Sequence, residues 1–76
     1  VDDFAAIRES IIKDLLPIMD HVQADPEQKF AMYKEALQTM HDKSVVTGAY
    51  NSARMIADED KKAASLMEVM QMIENF

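Results

Sequence analysis

The chain has 76 residues, with fourteen Asp plus Glu against eight Lys plus Arg, one glycine, two prolines and no cysteine. That length holds one domain with a thin core, and the lack of cysteine excludes a disulfide staple or a thiolate metal site. The net charge of −6 provides no basic lobe for nucleic acid or an anionic membrane, and no apolar run nears the ~20 residues of a membrane span.

Asp2 or Asp3 is placed to cap a first helix. Phe4, Ile7, Ile11, Leu15, Ile18 and Val22 follow at helical spacing and predict its inner face. Ile12, Leu16 and Met19 widen that stripe, and a stripe so wide must contact two neighbours. Glu9 and Lys13 form an i,i+4 pair on the wet side. Pro17 removes a backbone donor and clashes with the carbonyl of Lys13. Because the apolar register runs on past it, the pattern predicts one helix kinked at Pro17, with a simple break into two helices as the alternative.

The second helix has the clearest start. Asp25 is the N-cap, Pro26 takes the first helical position, Glu27 faces the positive dipole end and Gln28 completes a capping-box pattern. Phe30, Tyr33, Leu37 and Met40 form its face, flanked by Ala31 and Ala36. It is expected to end between His41 and Lys43. A third helix starts at Ser44, or at Asp42 if the turn is tighter. Val46, Ala49, Ala53 and Ile56 form its face, with Val45, Tyr50 and Ala57 beside it. Gly48 costs a helix up to about 1 kcal/mol relative to Ala. With Ala49, Ser52 and Ala53 around it, it reads as a point of close helix approach, with a local break as the alternative. Asp58 caps a fourth helix, with Glu59 and Asp60 in its first turn. Its inner face is read as Ala63, Leu66, Met70 and Ile73, with Met67 and Val69 flanking.

The segment Ala53-x-x-Ile56-x-Asp58 followed by Lys62-Ala63-x-x-Leu66-x-x-Val69 resembles one hairpin of a tetratricopeptide-like α-α repeat, over about a third of the chain. It departs from that family's pattern elsewhere. Placing Gly48 at the glycine position puts Asn51 at the tyrosine and Asp60 at the alanine, and no second copy follows. The resemblance implies a packed helical hairpin of the kind that serves as a protein-binding scaffold.

Motifs for chemistry are sparse. His21 lies beside Asp20 and His41 beside Asp42, both near expected helix ends, where an imidazolium suits the negative dipole end. Neither has ligand spacing for a metal. Asp58-Glu59-Asp60 opens like a calcium loop, but the sixth and twelfth positions are Ala63 and Val69 rather than glycine and glutamate. No serine or threonine has a base in sequence context. A helix-turn-helix drawn over helices two and three would expose Thr47, Asn51, Ser52 and the single base Arg54, which cannot anchor a helix on phosphate.

Methionine is the remaining signal, at seven residues. It is flexible and polarizable, and it suits both gap-filling and adaptable contact surfaces. Met67 and Met72 leave the fourth helix on opposite sides of Met70 and cannot share one narrow stripe.

The expectation is an all-α domain over residues 1–76: four helices in a small up-down array, orthogonal or bundle-like, the first kinked at Pro17. It is read as a non-catalytic protein–protein interaction or oligomerisation module without cofactor or metal, partnered by itself or by another protein helix, with no membrane. Ile12, Leu16, Met67, Met72 and Phe76 are the candidate partner-binding residues. The alternative is a nucleic-acid-associated adaptor of the phage-encoded kind, with a basic patch built from Lys29, Lys34, Lys43, Arg54, Lys61 and Lys62. The chain begins Val-Asp-Asp with no basic leader, which reads as a trimmed or partial chain. The expected location is the reducing cytoplasm.

Overall fold

A computed structural model describes residues 3–19 and 21–76. Asp2 and Asp20, proposed above as a cap and as a neighbour of His21, lie outside the described residues. Four α-helices and one 3-10 turn make up the regular structure, and no strand occurs among the described residues.

Each helix start follows from a short aspartate side chain placed to accept otherwise unpaired N–H groups. Helix α1, Phe4–Leu15, begins where the Asp3 carboxylate accepts the Ala6 N–H at 3.1 Å. Helix α2, Pro26–Thr39, is capped by Asp25, which accepts from the Glu27 N–H at 3.3 Å. Helix α3, Lys43–Ala53, takes the tighter of the two starts read from the sequence: Asp42 accepts both the Ser44 N–H and its hydroxyl at 2.9 Å. Helix α4, Glu59–Glu74, starts from Asp58, which accepts the Asp60 and Lys61 N–H groups at 2.9 and 3.1 Å.

At Pro17 the α-helix stops instead of continuing. It ends at Leu15, and a single 3-10 turn, Leu16–Ile18, carries the proline at its second position. Proline has no N–H to give the α ladder, so the tighter turn forms where the bond is missing. The Ile18 carbonyl then accepts from both His21 and Val22.

The core gathers Ile12, Met19, Phe30, Tyr33, Ala36, Val45, Ala49, Ala53, Val69 and Met72. Helices α2 and α3 make the most extensive contact, α3 and α4 the next, and α1 meets the other helices more sparsely. The closeness of α2 and α3 rests on small residues. Ala36, Val45, Ala49 and Ala53 are wholly buried, and α3 runs unbroken through Gly48. A Cβ at Gly48 would lie 2.5 Å from Cζ and 2.8 Å from Cδ1 of Tyr33, and closer still to Cε1. The glycine is therefore a packing contact: the Tyr33 ring occupies the space a side chain would need.

Two helices are rotated from the phase read in the sequence. In α1 the buried residues are Ile12 and, past the proline, Met19, with Leu16 half-buried between them. Phe4, Ile7, Ile11, Ile18 and Val22, expected inside, face solvent. In α4 Val69 and Met72 are buried and Leu66 is half-buried, and Ala63, Met70 and Ile73, expected inside, are exposed. Each correction is a turn of about one residue, or 100°.

Candidate interaction surface

Polar pairs tie α1 and α4 to separate flanks of α2. Arg8 of α1 donates to the Thr39 hydroxyl and to the Glu35 carbonyl, and pairs with the Glu35 carboxylate at 3.7 Å. On another flank Lys34 pairs with Glu68 at 2.9 Å, and Glu27 with Lys61 at 3.3 Å, joining α2 to α4. These pairs are half-exposed, so each contributes little stability, and the orientation of each helix rests on the apolar residues it buries.

That arrangement leaves two apolar faces in water. The outer face of α1 and its 3-10 extension carries Phe4 at 73% exposure, Ile7 and Ile11 at 52% and Ile18 at 49%, and Val22, past the 3-10 turn, is 38% exposed. Together they leave roughly 500 Å² of apolar residue surface exposed, taking about 200 Å² for a large apolar residue in full exposure. The outer face of α4 carries Met67, Met70 and Ile73, all more than half exposed. Exposed apolar area concentrated on single helix faces marks contact surface more than scattered apolar residues do.

The five candidate partner-binding residues divide. Ile12 and Met72 lie in the core and are not available to a partner, because the helix faces that meet α2 and α3 run through them. Leu16 is half-buried against the same cluster. Met67 is open to solvent. Phe76 is about half exposed and meets the His41 ring edge-on, with centroids 4.0 Å apart and planes at 89°. The outer α1 residues are the ones the sequence reading misses. Their signal is the stripe's width: two parallel rows one residue apart need two neighbours, and the chain supplies one.

The concave features are shallow. An open groove of about 410 Å³ lies between α2 and α4, lined by Leu37, Met72, Lys34 and Glu68. Among the described residues no three His, Asp or Glu side chains are grouped to hold a metal ion. Every buried side-chain polar atom among them has a hydrogen-bond partner. The Asp42 carboxyl is displaced from the ordinary carboxylate range. Its bonds from the Ser44 backbone N–H, and secondarily from the Ser44 hydroxyl, hold it lower, as helix capping does. Of the cations in the alternative basic patch, Lys34 and Lys61 are held in ion pairs, and the Arg54 guanidinium lies 5.5 Å over the Tyr50 ring. No helix among the described residues is long and apolar enough to cross a membrane.

Compared with protein-family models, curated proteins and solved structures, the chain matches none.

Proposed function

We propose that this chain is a small, non-catalytic helical module that works by association, through itself or with another protein helix. One observation carries the reading. The row Phe4, Ile7, Ile11 and Ile18 runs along one face of α1 and its 3-10 extension, with Val22 exposed in the chain beyond it, and it lies in water while the adjacent row is in the core. A lone chain of this size has little apolar surface to spare from its own core, so a row of this length left outside is best accounted for by a partner. The resemblance of Ala53–Val69 to a repeat hairpin implies the same class of role. Nucleic-acid association has weaker support, since two of its six cations are held by carboxylates and a third lies over an aromatic ring.

Thermal unfolding followed by circular dichroism over a hundredfold range of protein concentration tests the self-association form. An associating chain gains stability by mass action, so its Tm rises with concentration. The expected result is a rising Tm that becomes flat in the double variant Ile7→Glu, Ile11→Glu. A flat Tm in both proteins overturns self-association through this face.

A further inference from the structure

Resting on the reading of the chain as an association module, we infer that the outer face of α4 is a docking site for a cationic amphipathic helix of a different protein, distinct in partner from the α1 face.

The face is built by Ala63, Met67, Met70 and Glu74 at steps of 4, 3 and 4, with Ile73 alongside. All five are exposed. Ala63 lets a backbone approach closely. Met67 and Met70 are unbranched and can adapt their shape to a partner's side chains. From Ala63 to Glu74 the face is about 16 Å long at 1.5 Å per residue, enough for three turns of a partner helix laid along it.

Charge selects the partner. Glu59 and Asp60 border the face at its first turn and Glu74 at its last, all exposed. The final carbonyls of α4 add the negative end of the helix dipole beside Glu74. Against these three carboxylates α4 has two lysines, of which Lys61 is held across to Glu27. A second copy would bring identical carboxylate edges together in either orientation, at a repulsive cost, on a chain of net charge −6. A helix with leucine-like residues on one face and Lys or Arg at its edges satisfies both the methionines and the carboxylates.

The test uses two labelled synthetic peptides read by fluorescence anisotropy. One is a leucine–lysine peptide with leucines at helical spacing; the other keeps the leucines and replaces each lysine by glutamate. The expected result is saturable binding of the lysine peptide in the micromolar range and at least about tenfold weaker binding of the glutamate peptide. The variant Met67→Glu, Met70→Glu adds negative charge while removing the apolar contact. Docking on this face predicts at least about tenfold weaker binding of the lysine peptide, whereas non-specific attraction predicts tighter binding. Unchanged or tighter binding to that variant, verified as helical, overturns the inference, as does absence of binding to the parent chain. The Ile7→Glu, Ile11→Glu variant should bind the peptide as the parent does, and loss of binding there overturns the assignment to α4. A concentration-dependent Tm with no peptide binding leaves the broader association reading standing and removes this site alone.

Discussion

Replacing Gly48 with alanine sets two effects of known size against each other. In an open helix the change is favourable by about 0.8–1 kcal/mol, because alanine loses less backbone entropy and shields the helix better. Here the new methyl would fall 2.5 and 2.8 Å from Cζ and Cδ1 of Tyr33, well inside van der Waals contact. Tyr33 is 5% exposed and belongs to the core cluster, so the ring cannot swing aside without disturbing its neighbours. Overpacking of this kind costs about 1–3 kcal/mol beyond any local gain. The clash should win, with a net loss on the order of 1–2 kcal/mol and a Tm lower by about 5–15 °C for a domain of this length. Thermal and urea unfolding of Gly48→Ala measure it. The control is the same change in a Tyr33→Val background, where the ring is gone and alanine should become stabilising by up to about 1 kcal/mol. If Gly48→Ala alone raises stability by the full helix-propensity gain, the close approach of α2 and α3 is wrong.

Three further outcomes follow from the same coordinates. Val45 is wholly buried, so Val45→Ala should cost about 2 kcal/mol in urea unfolding, from lost transfer energy and the cavity left behind. Asp58→Ala removes the acceptor of two N–H groups at the start of α4 and should cost about 1 kcal/mol, with faster amide exchange in the first turn of α4. Asp42 is held below the ordinary carboxylate range in the folded chain, so its contribution is complete above the unfolded value and is lost as pH falls through the folded one. Asparagine keeps the capping oxygen without the titration; Asp42→Asn should therefore match the parent Tm near neutral pH and fall less steeply below about pH 4.

The helix starts were legible in the sequence because capping is local chemistry, whereas the ends came early: α1 stops at Leu15, α2 at Thr39 rather than between His41 and Lys43, and α3 at Ala53. Asp3, Asp25, Asp42 and Asp58 each lie where a carboxylate reaches the first free N–H groups, whatever the helix later packs against. Gly48 was legible for a related reason: a glycine kept inside a helix among small residues indicates crowding, and the Tyr33 ring supplies it. The rotation of α1 and α4 was not legible. Period 3.6 identifies an apolar row but not the neighbour that will cover it. In α1 two rows compete, and packing against the core cluster selects Ile12, Leu16 and Met19. In α4 methionine lies on several sides, so the phase is set by which residues the other helices bury, Val69 and Met72, with the Lys34–Glu68 and Glu27–Lys61 pairs alongside. The candidate surface depended on those rotations, which is why Ile12 and Met72 moved into the core and the row from Phe4 to Val22 moved out of it.

Sedimentation equilibrium of the parent chain beside Ile7→Glu, Ile11→Glu, over a wide concentration range, tests most directly that the outer α1 face is used on another copy. Both substituted residues are about half exposed, so the variant should keep its fold. The account predicts a reversible dimer or larger species for the parent and a monomer for the variant. A monomer for both at the highest concentration, or an assembly whose mass the substitutions leave unchanged, contradicts it.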